Sequence, residues 1–165
     1  EEPCPPENSD AIAEVRRHVD IPIVVGEALY SKHDFREVFE KRAADIINPD
    51  ICNTGGILEL KEIAAMAEAS HVVVSPHGWN STTVGLAASI QASACIPNFL
   101  IMEYPTSLEP LGNDIAVNPF KVENGYIQLP TAPGLGMDLK EEALARYQYR
   151  QFPARKIRQY YEEGP

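Results

Sequence analysis

Acidic side chains and one histidine return along this chain at intervals of about 25 residues: Glu1-Glu2, Glu27, Asp50, His77 and Glu103. Each of the last four lies at or just after the end of a short apolar run, at residues 21–25, 45–48, 72–75 and 99–102. Carboxylates that converge on one pocket repel each other, so either some protonate or a cation lies between them. Oxygen donors of this kind suit a hard divalent ion such as Mg²⁺. A histidine beside an aspartate is a base whose orientation the aspartate sets. A metal and such a base at one mouth suit removal of a proton next to a carboxylate, with the enolate oxygens stabilised by the ion.

The runs that precede these residues are β-branched and bounded by Pro, Gly or an acid, as buried parallel strands are. Helical spacing fills the gaps. Ser9 or Asp10 can cap a helix carrying Ile12, Val15 and Val19. Ser31 or Asp34 can open the next, with Phe35, Val38 and Phe39 on one face. Gly56 leads into Ile57, Leu60, Ala64 and Ala67, and residues 81–94 read as a nearly buried helix. Strand and helix in alternation predict a parallel sheet with right-handed crossovers. Two architectures accept it, an open doubly wound sheet or part of a closed (β/α)₈ TIM-type barrel. A nucleotide-binding sheet needs a Gly-rich turn, and Gly55-Gly56 completes neither GxGxxG nor GxxxxGK[ST]. A whole barrel takes roughly 250 residues, so the expectation is half of one, with its working groups at the C-terminal ends of the strands.

Beyond Tyr104 the texture changes to a loop rich in Pro, Gly and Asn. Asn124-Gly125 predicts a tight turn between two short strands. Pro133-Gly134-Leu135-Gly136 is a second turn, and Asp138 is expected to cap a last helix running through Tyr147. Residues 1–104 thus read as one unit and residues 105–165 as another.

Fourteen basic residues against twenty-four acidic ones leave a net charge of −10 with no Lys/Arg cluster. Such a chain is repelled by phosphate backbones and anionic membranes, which argues against nucleic-acid and membrane partners. Cys4, Cys52 and Cys95 are odd in number and lack CxxC spacing, which argues against a disulfide framework and a cysteine zinc site and for a reducing, cytoplasmic setting. The opening Glu1-Glu2-Pro3-Cys4-Pro5-Pro6 has neither the charge nor the apolar stretch of a signal peptide, and reads as the interior of a longer chain or a processed fragment.

Six segments taken together resemble the enolase superfamily, in its mandelate racemase subgroup, where sugar-acid dehydratases are common. They are Glu1-Glu2-Pro3, Pro22 to Glu27, Asn48-Pro49-Asp50 with Gly55-Gly56-Ile57, Pro76-His77, Asn98 to Tyr104, and Pro133 to Gly136. The resemblance implies strands four to eight of the barrel in residues 1–104, and a return to a capping domain in 105–165. It implies metal ligands at Glu1 and Glu27 for Mg²⁺, and a catalytic dyad of His77 and Asp50. Glu103 would hydrogen-bond a substrate carboxylate oxygen as the enolate forms, and Trp79 and Asn80 are candidates to touch substrate. A third ligand, a capping domain and any second base would lie outside these residues, so the chain alone is expected to be inactive.

The implied activity is Mg²⁺-dependent dehydration of an aldonate or aldarate, a small-molecule sugar acid, in a homo-oligomer that includes the N-terminal half. Racemase, epimerase or cycloisomerase chemistry is the first alternative, and a non-catalytic binding subunit needing a partner chain is the second. His18, His33 and His71 read as surface residues, Trp79 equally as a packed loop aromatic, and Cys52 as a small packed residue.

Overall fold

The structure, a computed structural model, describes residues 1–79 and 81–151. Three parallel strands, β1 (Val24–Val25), β2 (Ile46–Ile47) and β3 (Val73–Val74), pair in that order, with Val24 opposite Ile46 and Ile46 opposite Val73. Isolated backbone hydrogen bonds extend the ladder on both sides, and Val74 N–H also donates to the Asn98 carbonyl. Glu2 N–H donates to the Val24 carbonyl, and Leu100 N–H donates to that of Val74. The run at 99–102, expected as a strand, is therefore one bridge between Val74 and Phe99. A strand needs a ladder, and no described residue pairs with the far side of this run.

Helices α1 (Ser9–His18), α2 (Lys32–Glu40), α3 (Ile57–Ala69) and α4 (Thr83–Ser93) alternate with the strands. The cap of α1 is Asn8, whose side chain accepts from Ala11 N–H at 3.1 Å, rather than the expected Ser9 or Asp10. Asp34 closes the start of α2 by accepting from Ser31 N–H at 2.9 Å. Of the predicted faces, Ile12, Phe35, Val38, Leu60, Ala64 and Ala67 are buried in one core with Val25, Ile47 and Val74, which Ile63 joins, whereas Val19 and Ile57, at the helix ends, are exposed. Each of the larger buried side chains contributes about 1.5–3 kcal/mol by leaving water, so this layer holds the sheet on its helical side. Helix α4 is buried over most of its surface, as its small apolar composition predicts.

The segment that follows has a short helix α5 (Glu109–Ile115), a hairpin of β4 (Val122–Glu123) and β5 (Tyr126–Ile127), and a last helix α6 (Glu141–Leu144). Asn124 and Gly125 both have positive φ, the geometry of the predicted tight turn. The last helix is shorter than the expected run from Asp138 to Tyr147. Val117 N–H donates to the Asp138 carbonyl and Lys140 N–H to that of Ile115, so residues 138–140 are held extended before the helix begins. Phe120 packs with Ala87 and Ile90 of α4, joining this segment to the barrel layer. Among the described residues, no helix is long and apolar enough to cross a membrane.

Candidate active site

The C-terminal ends of the strands open on a cleft of about 340 Å³ lined by Glu1, Glu27, Asp50, Cys52, Asn53, His77, Trp79 and Glu103. Six of the seven residues singled out in the sequence thus face one space. Asn80 lies outside the described residues.

The parallel sheet brings these side chains together. Asp50 and His77 sit at equivalent positions beyond β2 and β3, where their backbones form a parallel bridge. His77 Nδ1 lies 2.8 Å from Asp50 Oδ2, and the other Asp50 oxygen accepts from Cys52 N–H at 2.8 Å. With both oxygens engaged and only 4% of its side chain exposed, Asp50 has one orientation to offer. The imidazole is therefore held by Nδ1, and Nε2 is the nitrogen that looks into the cleft. Glu27 Oε2 stands 2.9 Å from Nε2, and Glu103 Oε2 stands 3.5 Å away. Glu103 Oε2 also accepts from Gly78 N–H at 2.9 Å, which ties the end of the 99–102 run to the loop after β3.

The two opening acids are held differently. Glu1 Oε1 accepts from Asn48 Nδ2 at 2.6 Å. Glu2 turns its Oε1 to Gly26 N–H at 2.7 Å, while its Oε2 is buried with no partner among the described residues. Burial pushes the Glu2 carboxyl above its ordinary pKa, against the Gly26 hydrogen bond and with the charges of Glu27 and Glu1 adding to the rise. Gly26 has φ +140°, and a Cβ there would stand 2.9 Å from the Phe35 ring and 3.2 Å from Asn48 N. Only glycine lets the chain turn between Val25 and Glu27 at this closeness.

Trp79 is 57% exposed at the rim, so it is not a packed loop aromatic. Cys52 was expected to pack and is instead exposed at the cleft edge. Its sulfur still lies over Gly85 of α4, and burial, followed by the Asp50 charge, pushes the thiol pKa up. His18, His33 and His71 are exposed, as expected. Sequence reasoning missed Asn48 and Asn53, whose amide donates to the Glu27 carbonyl at 3.0 Å. Their only signal was position, beside a strand end that carries Asp50.

The donor set suits a hard cation in kind. Glu1 and Glu27 bring carboxylate oxygens to one cleft, and neither is paired with Lys or Arg among the described residues, though Glu27 Oε2 faces His77 Nε2. It does not suffice in number, since no group of three His, Cys, Asp or Glu among the described residues could hold a metal. Glu1 and Glu27 fit such an ion in donor type, and a full ligand set would need groups beyond these residues.

A parallel βα series that brings an Asp-bonded histidine and several carboxylates to the C-terminal ends of its strands has the layout of a barrel mouth. The profile of the family described as enolase C-terminal domain-like matches residues 1–143, and the chain belongs to that family. It is the (β/α)₈ barrel part of an enolase-superfamily protein of the mandelate racemase type, present here as a portion. It is 37% identical over 144 residues to D-xylonate dehydratase of Haloferax volcanii, covering 87% of this chain and 35% of that protein. It is 33% identical over 155 residues to D-galactarolactone cycloisomerase of Agrobacterium fabrum, covering 89% of this chain and 41% of that protein. Among solved structures, an enolase from Agrobacterium radiobacter with Na and L-malate bound superposes with a TM-score of 0.83 at 30% identity, covering 95% of this chain and 43% of that one. The chain thus spans well under half the length of these relatives.

Proposed function

We propose that this chain supplies the base, the orienting acid and two metal ligands to a Mg²⁺-dependent sugar-acid dehydratase. The observation that carries the reading is His77, fixed by Asp50 through Nδ1 and presenting Nε2 to a cleft it shares with Glu1, Glu27 and Glu103. His77 takes the proton alpha to the substrate carboxylate, and the electron pair of that C–H bond moves into the carboxylate as an enolate. Asp50 keeps Nδ1 occupied so that Nε2 meets the proton. Glu103 hydrogen-bonds a substrate oxygen as charge develops there. Glu1 and Glu27, with a ligand outside this chain, would hold Mg²⁺, which would supply positive charge where the substrate oxygens become negative. The β-hydroxyl then leaves with a proton as water, delivered by His77 or a group elsewhere, and the enol becomes a 2-keto-3-deoxy acid.

Residues 1–104 act in this reading as the site-bearing part of the barrel, and 105–165 as the return to a capping domain. Trp79 stands at the rim of the cleft, where a substrate chain would extend, and Asn80, next in the sequence, is the second candidate to touch it. The free cysteines suit a cytoplasmic enzyme.

A cycloisomerase reading is supported by the Agrobacterium fabrum relative, because the same first proton transfer serves both reactions. The test uses the intact protein with Mg²⁺ and a panel of aldonates and aldarates in deuterated water. A keto-acid product lost in Glu27→Gln supports dehydration, whereas exchanged or isomerised substrate favours the cycloisomerase. Calorimetry that finds no Glu27-dependent Mg²⁺ binding would remove the metal reading, leaving a binding subunit.

A further inference from the structure

Asn48 is only 5% exposed, yet its side chain makes one hydrogen bond, from Nδ2 to Glu1 Oε1 at 2.6 Å. Its other polar atom, Oδ1, is buried with no partner among the described residues. The backbone already does what the sheet needs at this position, since Asn48 N–H donates to the Val25 carbonyl. A hydrocarbon of similar volume would fill the same space without leaving a buried amide oxygen unsatisfied. Fold stability therefore gives no reason for an amide here. The contact it makes does: it reaches from the end of β2 past the end of β1 to a carboxylate 47 residues away. The missing Cβ at Gly26 is what lets the Asn48 backbone come this close.

We propose that Asn48 is a positioning residue that selects which oxygen of Glu1 faces a divalent cation. A carboxylate that rotates freely offers either oxygen and loses that freedom on binding. The amide occupies Oε1 and leaves Oε2 free for the cleft that Glu1 lines, and groups that orient a metal ligand in this way govern its affinity. Glu27 is held by a different device, its backbone carbonyl taking the Asn53 amide, so the two ligands are tuned separately. This inference rests on the Mg²⁺ reading above.

The test measures Mg²⁺ binding by calorimetry on the intact protein, comparing the parent with Asn48→Leu, Glu1→Gln, the double variant and Glu27→Gln, with thermal unfolding of the metal-free proteins alongside. Asn48→Leu is expected to bind Mg²⁺ about 10- to 100-fold more weakly with little change in metal-free stability. In the Glu1→Gln background the same change is expected to cost nothing further, because its effect runs through the Glu1 carboxylate. Equal losses in both backgrounds, or unchanged affinity in Asn48→Leu while Glu27→Gln abolishes binding, would overturn the role of Asn48 and leave the metal site standing. A parent that binds no Mg²⁺ would overturn both. Should Asn48→Leu fail to fold, Asn48→Ser carries the same comparison with a smaller side chain.

Discussion

At the scale of single residues, the pair with the least freedom is Asp50 and His77. Asp50 spends one oxygen on Cys52 N–H and the other on His77 Nδ1, so the imidazole cannot turn without breaking a buried hydrogen bond. Replacing Asp50 by Asn puts an amide where the Nδ1 proton is accepted, which favours the wrong tautomer and turns the lone pair away from the cleft. In the intact protein Asp50→Asn is expected to lower turnover by about 10²-fold or more. His77→Asn is expected to lower it further, with substrate affinity changing much less in both. Deuterium uptake at the alpha position, followed by NMR, reads this directly. Equal exchange in the parent and in His77→Asn would remove His77 as the base. These two residues were legible in the sequence because each closes an apolar run. Asn48 and Asn53 were not, since their importance lies in partners across the sheet rather than in their neighbours along the chain.

Between elements, the clearest joint is Asp45 at the entry to β2. Arg16 of α1 donates to its Oδ1 through two nitrogens, at 2.9 and 2.6 Å, and Ile23 N–H donates to Oδ2 at 2.9 Å. One carboxylate thus fixes a helix and the approach to β1 against β2. The Arg16 hydrogen bonds hold the Asp45 carboxyl below its ordinary range. A group depressed in the folded state stabilises above its unfolded pKa, and loses that contribution as pH falls through the folded value. Asp45→Asn is therefore expected to destabilise the intact protein at pH 7 by about 1 kcal/mol, a modest figure because both side chains are a third exposed. The gap should close as the pH drops below about 4, where the parent protonates as well. Urea unfolding at several pH values measures it, and a gap that stays constant down to pH 3 would contradict the assignment. The alternation of short apolar runs with helical faces made these elements readable. What the pattern overstated was strand length and the last helix, because both depend on partners: a run pairs only where another strand lies beside it, and residues 138–140 are drawn into pairing with 115–117.

For the molecule as a whole, the open edge of the sheet carries the argument. The run beyond β3 leaves Leu100 and Ile101 exposed by 53% and 63%, although its backbone is tied to Val74. Strands of a parallel barrel are buried on both faces, so a closed barrel covers residues that stand in water here. Ile101 should then respond oppositely in the two contexts. In the intact protein, Ile101→Lys places a cation where barrel closure removes water, and is expected to cost about 3 kcal/mol or more in urea unfolding. In the isolated chain the same lysine stays solvated and breaks an apolar edge, so it is expected to leave stability within about 0.5 kcal/mol and to reduce self-association in sedimentation. If Ile101→Lys is neutral in the intact protein, the edge is not where the rest of the barrel closes.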